Sequence, residues 1–256
     1  MHSMSDNITS SMLLIASRIA SKPPNETHPY GHGKVADVGA LLMGLTLLGI
    51  AFYIVYETLS KYVYGYRLEY VYIPLALIVL ALTSLVKEFL ARYAIYLSKH
   101  SNSLLCRVDA WHHRIDALIG MATAISILIY FLTRLVLVDV IMSLIISALI
   151  IREGIKIIKE SILALVDTLS PYLESIVKET AREIKEIEYV HDIRTRSYGG
   201  RYYIELKMHV RPDISVDEAH RIAHEFEEKV KKRDERIMEV ITHIEPESKI
   251  KHSDNT

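Results

Sequence analysis

Glutamine is missing from this chain altogether, while isoleucine, glutamate, lysine and arginine are abundant. Avoiding a thermolabile amide while favouring Lys and Glu fits a thermophilic source. Cysteine is almost as scarce. Cys106 stands alone, which excludes an internal disulfide framework and any Cys-x-x-Cys metal site. Net charge is close to zero: 30 Lys and Arg against 31 Asp and Glu leave −1, which gives no footing for nucleic-acid binding. No secretory signal precedes the first motif.

What the chain does have is divided between two halves. Of its 256 residues 50% are hydrophobic and 24% charged, with a mean hydropathy of +0.20. Residues up to about 150 are strongly apolar and those after Lys156 densely charged, as expected of a membrane part followed by a soluble domain. Four stretches, Val38–Tyr56, Val71–Val86, Ala110–Leu132 and Leu135–Ile151, approach the ~20 residues of a spanning helix. A Tyr-rich link (Tyr62, Tyr64, Tyr66, Tyr70, Tyr72) suits a membrane–water interface, and Lys87, Glu88 and Arg92 mark the emerging end of the second stretch. Gly44, Gly49, Ser143 and Ala148 offer small residues for close helix packing. The opening segment to Ala20 reads as the latter part of a fifth crossing, ended by Lys22-Pro23-Pro24. Arg18, Lys22, Lys34, Arg92, Lys99, Arg107, Arg152, Lys156 and Lys159 collect at one set of helix ends, which predicts that those ends and the C-terminal half are cytoplasmic.

The charged half predicts a small α+β domain in the order α-β-β-α-β. Leu173–Ile187 is helical in period, and Tyr189–Arg196 and Arg201–Val210 are strand-like around a Tyr198-Gly199-Gly200 hairpin signal. Ser215-Val216-Asp217-Glu218 is a capping box opening a helix with the apolar face Ala219, Ile222, Ala223, Phe226 and Val230. Ile237–Ile244 is the third strand. The domains expected are residues 1–160 in the membrane, a linker 161–172, the α+β domain 173–247 and a polar tail 248–256.

Two copies of one short pattern carry the chemistry. His2-x-x-x-Asp6 and His112-x-x-x-Asp116 each place an imidazole and a carboxylate on one helix face, one turn apart. Two such helices face to face would supply four N/O ligands, a tetrahedral cage for zinc or a similar divalent ion. Asp116 lies well inside an apolar run, where a carboxylate needs a partner. Asp109 lies one turn earlier and could line an entrance, while Arg114 projects to the opposite side. In His28-Pro29-Tyr30-Gly31-His32-Gly33-Lys34, two imidazoles flank a turn, either as an interfacial loop or as a second metal site. In the charged half, His191, His209, His220, His224, His243 and Glu245 could gather, or stay scattered on the surface.

With these motifs, together with Asp109-Ala110-Trp111-His112-His113-Arg114-Ile115-Asp116 and Val190-His191-Asp192-Ile193-Arg194-Thr195-Arg196, the chain resembles the cation diffusion facilitators over nearly its whole length. The resemblance implies a membrane unit of six helices, the first absent here, with a cytoplasmic metallochaperone-like domain. It implies a homodimer, not an enzyme, that exports zinc, or iron, cadmium or cobalt, in exchange for protons. Carried over by position, His2, Asp6, His112 and Asp116 form the transport site, and a His leading both pairs resembles zinc-preferring members. His28 and His32 match a loop site, His191, His220, His243 and Glu245 match metal positions of the soluble domain, and Lys34 and Asp167 resemble a charged pair joining protomers. Asn25 and Lys207 depart from positions where Asp and His are frequent. The expectation is a proton-coupled divalent cation exporter in a prokaryotic cell membrane; a membrane-anchored metal-binding scaffold is the alternative, should the absent helix prevent transport.

Overall fold

The computed structural model describes residues 2–64, 73–101, 104–133 and 136–246, without the side chains of residues 2–10, 61, 73, 74, 76, 98–101, 104–107 and 136. It divides into two compact units, residues 1–162 and 163–256. Tyr66, Tyr70 and Tyr72 of the expected interfacial link lie outside the described residues.

The first unit is helical: α1 (His2–Ala20), α2 (Lys34–Val63), α3 (Ile73–Ser101), α4 (Leu104–Thr133) and α5 (Val136–Leu165). These helices outrun the apolar stretches read from hydropathy, because their charged ends continue as helix. Lys87, Glu88 and Arg92 therefore lie inside α3 rather than at its end. Among the described residues two segments, Lys34–Ser60 and Val108–Thr133, are long and apolar enough to cross a membrane. Small and medium residues (Ala40, Met43, Leu47, Ala51, Val108, Ile115, Ile150) fill the interior, while Phe52, Leu82, Phe89, Leu132 and Ile145 are exposed. Helices apolar on their outward faces as well as inside suit lipid rather than water. α2 and α5 meet at glycines: a Cβ on Gly44 would come within 2.7 Å of Ile158 Cγ1 and 3.2 Å of the Gly154 carbonyl. Gly49, by contrast, faces open space.

The second unit contains α6 (Pro171–Arg182), β1 (Ile187–Tyr198), β2 (Arg201–Val210), α7 (Val216–Arg233) and β3 (Ile237–Pro246). The sheet order is β1-β2-β3, β2 pairing antiparallel with β1 and parallel with β3. Ser170 caps α6, accepting from the Leu173 amide at 3.5 Å, with Pro171 in the first turn where no amide hydrogen is needed. The helix stops at Arg182, five residues before the expected Ile187. A tight turn follows, and Ile184 and Ile187 keep the helical spacing because both still reach the core. Of the linker expected over 161–172, only residues 166–170 are outside a helix. Gly199 (φ 59°) and Gly200 (φ 89°) form the two-residue hairpin loop, a left-handed pair that twists the strands correctly. Ser215 Oγ accepts from the Glu218 amide at 3.2 Å and opens α7, whose Ala219, Ile222, Ala223, Phe226 and Val230 are all buried. Ala219, Ile222, Phe226 and Val230 pack with Leu173, Val177, Ile204, Leu206, Met208 and Val210 into one core. Glu205, Lys207 and His209, alternating with these β2 residues, take the other sheet face.

Candidate metal sites

In the first unit α1 packs on α2 and touches α4, so the helices bearing the two His-x-x-x-Asp patterns are neighbours. The His2 and Asp6 side chains lie outside the described ones. On α4, His112 is 2% exposed and its Nδ1 is buried without a hydrogen-bond partner. Its Nε2 lies 3.9 Å from Asp116 Oδ2. A buried imidazole with an unused nitrogen beside a carboxylate is a donor set lacking an acceptor, which a metal ion would supply. One turn earlier, His113 Nε2 and Asp109 Oδ2 stand 3.7 Å apart. Arg114 lies over the Trp111 ring, 5.6 Å from its centroid. The neutralising charge comes from elsewhere: Lys87 Nζ on α3 donates to Asp116 Oδ2 at 2.8 Å.

The loop before α2 brings His28 and His32 together, ring centroids 4.2 Å apart. Asn25 Oδ1 accepts from the His28 amide at 2.7 Å and from Thr27 Oγ1 at 3.0 Å, closing the turn that presents them. His28 Nδ1 lies 2.9 Å from Thr27 Oγ1, and His32 Nδ1 is buried with no hydrogen-bond partner. Gly31 (φ 85°) supplies the left-handed step between the two histidines. Lys34 is the first residue of α2. In the second unit Asp167, itself left-handed at φ 54°, accepts from Arg196 Nε at 3.2 Å.

The outer sheet face of the second unit gathers a tighter group. Register places Tyr189, His209 and Glu245 in one row across the strands and His191, Lys207 and His243 in the next. His191 Nε2 and His209 Nε2 are 3.0 Å apart, and Glu245 Oε2 lies 3.1 Å from the latter and 3.8 Å from the former. Ligands of a tetrahedral zinc sit roughly 3.3 Å from one another, given Zn–N of about 2.0 Å, so these three atoms fit such an ion. His209 is buried under Tyr189, ring centroids 4.3 Å apart and 10° from parallel, and its Nδ1 has no hydrogen-bond partner. Asp192 (φ 49°) sits in an irregularity of β1 between His191 and Arg194, and this bulge brings its carboxylate to Lys207. Lys207 Nζ bridges Asp192 Oδ2 at 3.3 Å and Glu245 Oε1 at 3.2 Å. That ammonium holds both carboxyls below their usual range, and they raise the lysine in turn. His243 Nε2 is 3.6 Å from Glu245 Oε1. His220 is not in the group; it packs edge-on against His224 on α7, centroids 4.8 Å apart. His209, which family positions did not single out, stands at the centre of the group. Its place two residues after Lys207 on the polar side of β2 was the available signal.

A helical unit with a buried imidazole–carboxylate pair, joined to an α+β domain with its own histidine cluster, defines a membrane protein that handles metal cations. Residues 1–166 match the family described as Cation efflux transmembrane domain, and residues 169–247 match Cation efflux protein, cytoplasmic domain. The chain belongs to the cation diffusion facilitator family of metal cation efflux transporters, membrane proteins with a cytoplasmic C-terminal domain. It is 33% identical over 228 residues to an uncharacterized transporter of Methanocaldococcus jannaschii, covering 86% of this chain and 77% of that one. It is 27% identical to the manganese efflux system protein MneP of Bacillus subtilis, covering 96% and 84%. The metal-bound C-terminal domain of the CzcD transporter from Thermotoga maritima is 23% identical, covering 30% of this chain and 94% of that one, with a TM-score of 0.29.

Proposed function

We propose that this protein is a homodimeric, proton-coupled exporter of zinc-type divalent cations in a prokaryotic cell membrane, with His2, Asp6, His112 and Asp116 as the transport ligands. The observation that carries the reading is His112: buried, with an unused ring nitrogen, beside the Asp116 carboxylate on a helix that neighbours α1. Metal arriving from the cytoplasm exchanges its water for two imidazoles and two carboxylates. The bundle then rocks to face outward. Release follows from the ligands themselves: imidazole must be neutral and carboxylate ionised to hold the ion, so protons on the outer side compete it off. His28 and His32 form a loop site on the cytoplasmic path, and His191, His209 and Glu245, with His243 beside them, hold a regulatory ion in the soluble domain. Lys34 and Asp167 make a charged contact between protomers.

Zinc, with iron, cadmium and cobalt behind it, is favoured because imidazole leads both pairs, whereas all-oxygen sites suit manganese. The likeness to MneP supports manganese as a second reading. Competition uptake by the full-length protein in proteoliposomes separates them. Wild type should prefer zinc, and His2→Asp combined with His112→Asp should move the preference toward manganese and the pH profile downward, since carboxylates titrate below imidazole. A double variant with unchanged preference and profile would remove the two histidines from the selective site.

A further inference from the structure

The mechanism above makes no use of Lys87, yet this lysine holds the carboxylate that the transport site needs. Its Nζ lies 2.8 Å from Asp116 Oδ2, the same oxygen that faces His112 Nε2 at 3.9 Å. The contact is built into the helix pair. Ser84, three residues before Lys87, and Gly120, four after Asp116, meet so closely that a Cβ on Gly120 would collide with Ser84 Oγ. This approach fixes α3 against α4 about one turn away from the ion pair. Asp116 is mostly buried while Lys87 keeps a third of its side chain exposed, so the carboxylate is held in place and the ammonium has water to retreat to.

We infer that Lys87 is the resting counter-ion of the transport site, an ammonium that neutralises Asp116 while no metal is bound and yields the carboxylate when a divalent ion arrives. The inference rests on the proposed role of Asp116 as a transport ligand. A metal ion on His112 and Asp116 would sit beside the Lys87 ammonium on the oxygen that faces His112, and two cations sharing that oxygen repel one another. Loading therefore exchanges one cation for another. Between cycles the empty site avoids a lone carboxylate in an apolar bundle, which is costly. During release the returning ammonium displaces the metal from the inside as protons compete from the outside. A lysine suits this role better than an arginine, because a point charge on a flexible stem can leave and return, whereas a bidentate guanidinium would hold the carboxylate too firmly.

The test is made in a His28→Ala, His209→Ala background, which removes the loop and soluble-domain sites proposed above, and measures zinc affinity of the full chain in detergent by competition with a chromophoric chelator at fixed pH. Lys87→Met should bind zinc roughly tenfold to a hundredfold tighter than the same background with Lys87 intact, the scale of one charge-assisted hydrogen bond no longer displaced, and its zinc flux in proteoliposomes should fall as release slows. Zinc binding by Lys87→Met that is unchanged or weaker, while Asp116→Asn abolishes binding, would overturn the inference and leave Lys87 as a helix tie. Zinc binding that survives Asp116→Asn would instead bring down the transport-site reading itself. A measurement on the wild type does not depend on how the variants fold: acylation of the Lys87 amine, followed by mass spectrometry, should quicken on adding zinc. An unchanged or slower rate with zinc bound would mean that the ammonium never leaves.

Discussion

Replacing His209 with alanine removes the imidazole at the centre of the soluble-domain cluster, 3.0 Å from His191 and 3.1 Å from Glu245. Three convergent donors become two. Losing one ligand of three should weaken metal binding by about a hundredfold, or about 2.7 kcal/mol. Zinc at a hundred times the wild-type Kd stabilises the folded domain by about 2.7 kcal/mol. For a domain of this size that raises Tm by roughly 10–20 °C. At the same zinc concentration the variant would sit near its own Kd, leaving about 0.4 kcal/mol and roughly 2–3 °C. The substitution also deletes the Tyr189 stack, worth about 0.5–1.5 kcal/mol with or without metal. Thermal unfolding of the domain from residue 163 onward, which has its own core, separates the two effects. The chelator-treated Tm reports the stack and the zinc-induced shift reports the ligand. A variant whose zinc shift equals the wild type's would refute the three-donor site.

The cluster of Asp234 and Arg236 should govern the acid limit of the same domain. Arg236 Nη2 donates to Asp234 Oδ2 at 2.6 Å while its guanidinium lies 5.8 Å from the Tyr172 ring and 5.5 Å from the Tyr202 ring. Hydrogen bonding from Arg236 depresses the Asp234 carboxyl, so this pair stabilises the fold above the usual carboxylate range, near 4, and the contribution disappears as pH falls through the lowered value. Urea titrations of wild type and Asp234→Asn should differ by about 1–3 kcal/mol at pH 7 and converge in strong acid; curves that stay parallel would contradict the assignment. Within the helical unit, Gly154→Ala puts a methyl 3.1 Å from Leu48 Cδ2 and 3.3 Å from the Gly44 carbonyl. It should cost about 1–3 kcal/mol, read as a lower detergent melting temperature, whereas Gly49→Ala should be nearly silent.

The soluble domain was the more legible half. Alternation in Arg201–Val210 matched β2 residue for residue, and Ser215 capped α7 as its spacing predicted, because both signals are local. The end of α6 was not local: Ile184 and Ile187 continue the helical spacing for the sake of the core after the chain has turned. His209 gained its meaning only when β1 and β3 were laid beside β2, and the left-handed Asp192 only when the strand register slipped around it. In the helical half, hydropathy found the helices but not their partners. Lys87 looked like the end of a span because its ion pair is with a residue 29 positions away on another helix. Gly44 and Gly49 looked equivalent, and only contact with Gly154 distinguishes them.

Metal-driven proton flux through Asp116 bears on the central claim more directly than any other measurement. The full-length protein and its Asp116→Ala variant would be reconstituted in proteoliposomes loaded with a zinc indicator and a pH indicator. The wild type should move zinc and protons in opposite directions, with flux growing as the acceptor side is acidified. The variant should move neither, while its circular dichroism and its soluble-domain Tm stay at wild-type values. Wild-type flux through Asp116→Ala would contradict the account.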